Sequence, residues 1–304
     1  MSTYNEFVSS LSNKKENIDN NIDRYIRNRY SGEIFDLIKY ITIHGKRLRG
    51  LLLTIASEAY KGNTIKTENL AVSAELGHSA SLVHDDIMDR TRERRGTESF
   101  WVKYGLERGI ILPHILISES LNIARNEGEE FVRIGISTWQ RASYGQYLDF
   151  IAEEEKNHDK LDYLNVIDLK SGSLFEGAVE TSAYIVKGSK QFIEEAKNFG
   201  RLLGISYQIS DDFIGAILSE EGGGSNKLFK YYLLKKGIDI SNKDKTFNFV
   251  LDWIKKEFNQ LNKNKEFYLT DTLRFFLVYS IVEIFRETNE YVSQVKETLE
   301  NILI

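Results

Sequence analysis

One proline in 304 residues is the feature that most restricts how this chain can fold. Proline interrupts helices, and its near absence leaves long helical segments unbroken. Apolar residues recur at helical spacing near the N-terminus, namely Ile18, Ile22, Tyr25 and Ile26, then Ile34, Leu37, Ile38 and Ile41. The segment Leu273 to Phe285 is apolar on nearly every side, which predicts a buried helix. The sequence has no alternating strand pattern and no internal repeat, so we predict an all-α fold in a single domain, 1–304.

Charge and composition exclude several classes of protein. The formal net charge is -5 and no sustained basic run occurs, which disfavours a nucleic-acid partner. Cysteine is absent, so disulfides and thiolate chemistry are excluded. No stretch approaches the roughly eighteen apolar residues that a membrane span requires. The N-terminal segment lacks the apolar core of a signal peptide. We therefore expect a cytoplasmic protein without a membrane span.

Three aspartates follow an apolar helical segment in the stretch HSASLVHDDIMD. Asp85 and Asp89 are four residues apart, so both point from one face of a helix and repel each other unless a cation binds them. A site with only oxygen ligands favours a hard ion such as Mg²⁺. A second pair, Asp211 and Asp212, lies in a separate apolar segment. An isolated pair is more often a solvated acidic turn, and this alternative stays open for each motif alone.

Three basic clusters alternate with these acidic motifs. They are GKRLRG at 45–50, RRG at 94–96 and KSGSLF at 170–175. Arginine suits fork-like contacts with phosphate, and lysine supplies a mobile point charge. In the first cluster Lys46 and Arg49 are three residues apart and share a helical face. Each cluster alone is more often a solvated face or a helix end, whereas the alternation of acidic and basic motifs predicts a site for phosphates bridged by a metal ion.

In this combination and order the motifs resemble those of the trans-isoprenyl diphosphate synthases. The order is GKRLRG, HSASLVHDDIMD, RRG, GQYLD at 145–149, KSGSLF and YQISDDF at 207–213. Within the family, HSASL, LKSGSLF, YQISDDF and NKLFKYY most resemble the long-chain archaeal branch, the hexaprenyl diphosphate synthases. The resemblance implies the isoprenoid synthase fold, a single large helical bundle around a deep central cavity, and a homodimer. It also implies a Mg²⁺-dependent prenyltransferase that elongates an allylic diphosphate with isopentenyl diphosphate.

The resemblance also assigns roles to individual residues. The expected Mg²⁺ ligands are Asp85, Asp89 and Asp211. The groups expected to hold the allylic diphosphate are Arg94, Lys170, Ser171, Gln208 and Lys227. Those expected to hold isopentenyl diphosphate, without a metal ion, are Lys46, Arg49, His78 and Arg95. The expected catalytic residues are Asp85, Asp89, Arg94, Lys170 and Asp211. Metal ions would stabilise the departing diphosphate while the isopentenyl double bond attacks the allylic carbon.

Neighbours of these residues have supporting roles in this prediction. Asp86 and Asp212 face away from the ligand side of their motifs, and we expect them to support the adjacent carboxylates. His78 lies seven residues before Asp85 and shares its helical face, although a lone histidine in a helix is usually structural. Asp149, in the GQYLD motif, either orients other side chains or contacts the substrate.

Small residues lie one turn below the first acidic motif. Ala80 and Ser81 precede Asp85 by five and four residues, about 6 to 7.5 Å along a helix, and Gly77 continues the small surface. In the family that the chain resembles, a bulky aromatic residue at this depth stops chain growth. An open apolar tunnel buries more surface with each added isoprene unit, so we predict a membrane-directed product beyond C20, about C30. Close helix packing is the structural alternative, and a C20–C25 product is the functional one.

Departures from the family pattern keep other functions open. Gly215 occupies the position of the usual third acid of the second acidic motif, and Pro113 and His114 replace the usual glycine and aspartate. A terpene cyclase on the same fold would need no isopentenyl diphosphate site, and the GKRLRG cluster argues against it. A weakly active regulatory subunit of a heteromeric prenyl synthase is the other alternative, and Gly215 supports it. The stretch EEGGGSNK at 220–227 is the expected flexible loop.

Overall fold

The computed structural model describes residues 3–43, 45–154, 160–218, 226–261, 266–286, 288 and 291–303. Within these ranges the chain forms α-helices, one π-helix and one two-stranded antiparallel hairpin, which confirms the predicted all-α class. The α-helices are α1 Tyr4–Arg27, α2 Gly32–Thr42, α3 Leu48–Ala59, α4 Thr64–Met88, α5 Phe100–Tyr104, α6 Leu106–Glu127, α7 Glu129–Glu154, α8 Tyr163–Ile167, α9 Ser173–Ile185, α10 Lys190–Leu218, α11 Asn226–Lys235, α12 Lys243–Leu261, α13 Asp271–Phe285 and α14 Val292–Leu303. The π-helix is Asp168–Gly172, and the strands are β1 Glu93–Arg94 and β2 Thr97–Glu98. Most of the predicted flexible loop lies outside the described residues.

Polar residues set the starts of several helices. The Thr3 hydroxyl accepts from Glu6 N at 3.3 Å, and the Glu6 carboxylate accepts from Thr3 N at 2.8 Å, at the start of α1. Asn63 caps α4 by accepting from Lys66 N at 2.9 Å, and Thr270 caps α13 through its side chain. Each contact satisfies a backbone N–H that the first turn of a helix leaves without an intrahelical partner. These boundaries are therefore encoded locally.

The first of two compact units comprises Met1–Trp139 and Thr181–Lys187. Its core includes Ile18, Ile22 and Ile26 of α1, which are buried as their helical spacing predicted. Helix α4 lies against both α3 and α6 within this unit. The helix that ends in the first acidic motif is thus held on two sides by packed helices.

The second compact unit comprises Gln140–Glu180 and Gly188–Ile304. Helix α13 is buried along most of its length, which confirms the prediction from its apolar sequence. It has 15 residues, fewer than the roughly 20 needed to cross a bilayer. Among the residues that the structure describes, no helix combines the length and the apolar character of a membrane span. The single domain 1–304 stays a prediction.

Aromatic rings fill part of the core of the second unit. Phe247 stacks on Tyr291 with ring centroids 4.3 Å apart, and it meets Phe285 edge-on at 5.8 Å. Phe213, the residue directly after the second acidic motif, lies 6.0 Å from Phe247 and 6.1 Å from Phe285. Aromatic pairs in such geometries add stability beyond the area that they bury. The cluster therefore ties the helix of the second acidic motif to the hydrophobic core.

Replacement of Phe247 by alanine is expected to lower the free energy of unfolding by about 3–5 kcal/mol, because it removes a buried ring and leaves a cavity. Phe247 is 1% exposed. Leu234→Ala in the same unit is the matched control, since Leu234 is 66% exposed and its truncation should change stability by less than about 0.5 kcal/mol. Urea unfolding measures both variants. Equal effects would show that the aromatic cluster does not stabilise this unit.

Candidate active site

The first acidic motif lies at the C-terminal end of α4. Asp85 is in the last turn, and Asp89, where the helix ends, donates its N–H to the Asp85 carbonyl at 2.8 Å. Asp85 is partly buried, Asp89 is exposed, and Asp86 between them is buried. The carbonyl end of a helix carries partial negative charge, so carboxylates gathered there are electrostatically unfavourable. A bound cation would relieve this repulsion.

A hairpin brings the arginines of the RRG cluster to this motif. Strands β1 and β2 are joined by Arg95 and Gly96, whose φ angles are 55° and 75°. A two-residue loop with both φ angles positive matches the twist of the strands, and it suits glycine but strains arginine. The hairpin places Arg94 beside Asp86, with Nη2 at 2.6 Å and Nε at 2.8 Å from Oδ1. Asp86 thus supports the motif by holding this guanidinium.

The middle arginine of GKRLRG anchors the loop that precedes α3. Arg47 is 4% exposed, and its guanidinium pairs at 3.7 Å with the buried Glu75 carboxylate of α4. Glu75 also accepts from Gly50 N at 2.8 Å. The prediction that Lys46 and Arg49 share a helical face is wrong, because α3 begins at Leu48 and Arg47 before it has a left-handed backbone with φ of 56°. Lys46 is therefore exposed in the loop before the helix, and Arg49 is partly buried in its first turn. The sequence analysis missed Arg47 and Glu75, and the one available signal was an acid inside an otherwise apolar helical segment.

His78 lies two turns before the first acidic motif and faces basic groups. Burial is the largest cause that lowers the pKa of His78 well below its ordinary value, and the positive charges of Arg49, Arg95 and Arg94 add to it. The imidazole is therefore neutral at neutral pH. The structure brings together three of the residues predicted to hold isopentenyl diphosphate, because Arg49 and Arg95 lie near enough to act on His78.

The second acidic motif lies in α10 and is held by a chain of hydrogen bonds. Asp212 is 5% exposed, and it accepts from Tyr163 Oη at 2.7 Å and from Gln208 Nε2 at 2.9 Å. Gln208 Oε1 in turn accepts from Ser171 Oγ at 2.5 Å. Burial raises the pKa of Asp212 to about 7, although the hydrogen bond from Tyr163 opposes this shift. Asp211, the predicted metal ligand, is exposed.

The lysine of KSGSLF lies on the π-helix and pairs with a carboxylate from α7. Lys170 Nζ is 2.6 Å from Asp149 Oδ2, and both side chains are mostly buried. This pairing supports the orienting role for Asp149. The second unit therefore links the predicted Ser171 and Gln208 to Asp212 and pairs Lys170 with Asp149, whereas Lys227 is exposed at the start of α11.

Two features of the second unit bear on the prediction from sequence. Tyr163 of α8 was missed, because it lies 49 residues from Asp212 along the chain and no spacing pattern signals the contact. Gly215 follows Asp211 by one turn of α10, where the family usually has a third acid. The second acidic motif thus offers one exposed carboxylate, supported by a buried one.

The small residues of α4 differ in their surroundings. Ala80 is 0% exposed. Gly77 faces α6, because a Cβ added to it would lie 3.4 Å from Ser120 Oγ. Ser81 is partly buried and shares the face of Asp85, four residues further on. Close helix packing therefore applies at Gly77, and Ser81 borders the acidic motif. The chain-length roles of Ala80, Ser81 and Gly77 stay predictions.

Comparisons with known proteins agree with the motifs. The model of the family described as Polyprenyl synthetase matches residues 32–269. The chain is 34% identical to hexaprenyl pyrophosphate synthase of Saccharolobus solfataricus over 224 residues, which cover 72% of this chain and 76% of that protein. It is 31% identical to geranylgeranyl diphosphate synthase of Methanosarcina mazei over 221 residues, 70% of this chain and 68% of that protein. The resemblance inferred from the motifs is confirmed.

Solved structures share the fold. An isoprenoid synthase family member from Thermotoga neapolitana has a TM-score of 0.68 at 22% identity, covering 90% of this chain and 99% of that chain. Geranylgeranyl pyrophosphate synthetase from Pyrococcus horikoshii has a TM-score of 0.69 at 20% identity, covering 99% of each chain. At these identities the likeness establishes the fold alone, and it confirms the predicted isoprenoid synthase fold.

The stability of His78→Gln is expected to fall less steeply with acidification than that of the wild type below pH 6.5, the ordinary pKa of histidine. The unfolded chain protonates His78 near that pH, whereas the folded protein, with a lowered pKa, does so only at a lower pH. The free energy of unfolding of the wild type therefore decreases as the pH is lowered, and His78 contributes at most about 1.4 kcal/mol per pH unit to this decrease. Urea unfolding between about pH 5 and 8 tests this. Parallel profiles for the two proteins would contradict a neutral His78 in the folded protein.

Proposed function

The chain belongs to the polyprenyl synthetase family and is a prenyltransferase, and from this premise we propose that it elongates an allylic prenyl diphosphate with isopentenyl diphosphate in a Mg²⁺-dependent reaction. One observation carries the proposal. The first unit contains two kinds of charged cluster close together: the carboxylates of Asp85 and Asp89, which favour a cation, and the cluster of Arg49, Arg95 and His78, which attracts an anion directly. Chain elongation joins two diphosphates, one bound through metal ions and one without. A terpene cyclase needs only the first.

The donors present fit Mg²⁺. Carboxylate oxygens, which a hard divalent cation prefers, belong to Asp85 in the last turn of α4, to Asp89 directly after that helix, and to Asp211 on α10. Within the described part of the chain, no three His, Cys, Asp or Glu side chains are grouped so that they could hold a metal ion alone. The ions would therefore need phosphate oxygens and water as further ligands, as Mg²⁺ commonly does. When bound, Mg²⁺ acts as a Lewis acid that stabilises charge on the departing diphosphate.

Two cations of this chain suit the departing diphosphate. Arg94 offers a planar fork and Lys170 a point charge, and carboxylates hold both, Asp86 the first and Asp149 the second. A cation that is already oriented needs little reorganisation as negative charge develops on the leaving group. The further candidates for contacts with this diphosphate are Ser171, Gln208 and Lys227.

The second substrate would bind the basic cluster of the first unit. The proposed contacts to isopentenyl diphosphate are Lys46, Arg49, His78 and Arg95. A neutral His78 can donate one N–H to a phosphate oxygen. The bond between the allylic carbon and the diphosphate oxygen breaks, and the electron pair of the isopentenyl double bond forms the new carbon–carbon bond. A proton then leaves to a diphosphate oxygen, which restores a double bond in a chain longer by one isoprene unit.

The proposed product is long, about C30, because no bulky side chain stands at Ala80 or Ser81 to stop a chain that buries more methylene surface with each added isoprene unit. The relatives are named for hexaprenyl, geranylfarnesyl and geranylgeranyl products, so family membership alone does not fix the length. A C20–C25 product is the alternative. We further propose a homodimer, which the resemblance implies, and a cytoplasmic location, as predicted from the sequence. The alternative of a regulatory subunit is supported by Gly215, which occupies the position of the usual third acid of the second acidic motif.

The purified protein is expected to convert labelled isopentenyl diphosphate and an allylic primer into polyprenyl diphosphate only when Mg²⁺ is present. Dimethylallyl, geranyl, farnesyl and geranylgeranyl diphosphates serve as primers, and chromatography after dephosphorylation sizes the products. Asp85→Asn should lower turnover by about 100-fold or more, as removal of a group that stabilises transition-state charge commonly does. The control is Glu58→Gln, at an acid that pairs with Lys14 and is 53% exposed, and it should retain activity.

Two results would separate the alternatives. A homogeneous preparation that makes no polyprenyl diphosphate from any primer, but stimulates a partner synthase, would favour the regulatory subunit. Release of a cyclic hydrocarbon without consumption of isopentenyl diphosphate would favour a cyclase. A product of C20–C25 from every primer would support the proposed prenyl transfer but contradict the proposed product length of about C30.

Ser81→Phe is expected to shorten the product by one or more isoprene units without abolishing turnover, because its ring would fill space beside the first acidic motif. Ala80→Phe should also shorten the product. Since Ala80 is 0% exposed, the added ring must displace its neighbours and should lower the free energy of unfolding by about 1–3 kcal/mol. Product sizing and urea unfolding separate these effects, with Ser241→Phe at an exposed turn as the control. Unchanged product length in both variants would exclude these residues from length control.

A further inference from the structure

The π-helix Asp168–Gly172 interrupts regular helix where the chain carries the KSG motif. Ser173 N–H donates to the carbonyl of Asp168, five residues back. In an α-helix the partner of Ser173 N–H would be the carbonyl of Leu169, which here accepts from the Ser173 hydroxyl at 2.6 Å. A π-turn is rare and occurs frequently at functional sites, so the contacts that hold this one are informative.

Helix α7 meets the backbone of the π-helix at Gly145. A Cβ added to Gly145 would lie 2.3 Å from Lys170 N and 2.7 Å from the carbonyl carbon of Leu169, closer than real side chains approach backbone. One turn further along α7, Asp149 accepts from Lys170 Nζ at 2.6 Å. Helix α7 therefore contacts Lys170 twice. Gly145 meets the backbone of Lys170, and the Asp149 carboxylate binds its ammonium group.

Helix α10 repeats this arrangement with the next residue. A Cβ added to Gly204 would lie 2.7 Å from the carbonyl oxygen of Ser171 and 2.8 Å from Gly172 Cα. One turn further along α10, Gln208 accepts from Ser171 Oγ at 2.5 Å. Gln208 also donates to Asp212, so the contact extends to the second acidic motif.

Ion pairs from the same two helices hold the start of the π-helix. Asp168 lies 3.1 Å from Arg201 of α10 and 3.8 Å from Arg141 of α7. On each helix an arginine, a glycine and a polar residue follow one another at spacings of about one turn. These sets are Arg141, Gly145 and Asp149 on α7, and Arg201, Gly204 and Gln208 on α10. All of these contacts lie within the second unit.

From this geometry we infer that Gly145 and Gly204 are positioning residues: by admitting the backbone of the π-helix they determine where Lys170 and Ser171 meet a diphosphate. The inference rests on the proposed function for the identity of the anion, but it does not require turnover. A methyl group at either glycine must displace the backbone, and a shift on the order of 1 Å at a catalytic group can lower the rate about 100-fold. Gly200 of α10 offers a contrast, because its added Cβ would lie 2.6 Å from the carbonyl oxygen of Phe175, beyond the π-helix.

The test compares full-length Gly145→Ala with wild type and with the control Gly200→Ala, each with and without Lys170→Ala. Calorimetric titration with inorganic pyrophosphate and Mg²⁺ measures anion binding without turnover. Lys170→Ala alone should weaken this binding about 10- to 100-fold, the range for loss of a charged hydrogen bond. Gly145→Ala should cause a loss of similar size, and adding Lys170→Ala to it should lower affinity by less than about 2-fold.

In the Gly200→Ala background, Lys170→Ala should keep its full effect, because the atoms nearest to an added Cβ at Gly200 belong to Phe175 and Glu176, outside the π-helix. Steady-state assays should show that Gly145→Ala lowers kcat while KM for isopentenyl diphosphate is unchanged. Thermal unfolding confirms that each variant is folded at the assay temperature. If Gly145→Ala does not fold, Gly204→Ala with and without Ser171→Ala tests the inference by the same criterion.

The inference is overturned if Gly145→Ala binds pyrophosphate as Gly200→Ala does. It is also overturned if the losses from Gly145→Ala and Lys170→Ala multiply, or if pyrophosphate binding by the wild type does not depend on Lys170. A wild type that transfers no prenyl group, yet shows the non-additive loss of pyrophosphate binding, would remove the proposed function and support the positioning role.

Discussion

The proposed diphosphate contacts in each unit depend on one interaction, a carboxylate beside the cation. Asp86 holds Arg94 in the first unit, and Asp149 holds Lys170 in the second. A partly buried cation without a partner is strongly destabilising, and a long side chain without a partner has no fixed position. Pairing removes both problems before any substrate arrives. In each aspartate pair the second residue is buried and supports its surroundings, and the first, Asp85 or Asp211, is left more accessible for a ligand.

Those features that depend on helical rotation could be predicted from the sequence. Scarce proline and regular apolar spacing were sufficient for the all-α class, because a buried helix must repeat its apolar face. The same rotation predicted that Asp86 and Asp212 turn away from their neighbours, and both are buried. The surroundings of the small residues below the motif could not be predicted in the same way. Ala80 is enclosed by packing, while Ser81 faces the side of Asp85.

Features that depend on contacts between distant segments could not be predicted in this way. Tyr163 reaches Asp212, and Glu75 reaches Arg47, across intervals that no short pattern spans. The π-helix was also missed, because its close contacts are with glycines of two other helices, Gly145 of α7 and Gly204 of α10. Asp212 shows the chemical consequence, since burial raises its pKa to about 7 and the second acidic motif then carries less charge at neutral pH than its sequence indicates. Gly215 also stands where the family usually has a third acid. The second acidic motif therefore carries less negative charge than the first.

In the hairpin turn at Arg95 and Gly96, low backbone strain and a positive charge near His78 favour different residues at position 95. Arg95 adopts a left-handed backbone that asparagine adopts with less strain, and strain of this kind is worth on the order of 1–3 kcal/mol. Asparagine there would favour the turn but remove a guanidinium that acts on His78. Selection for thermal stability alone would therefore favour the replacement of Arg95. Only selection for activity would retain the arginine at this position.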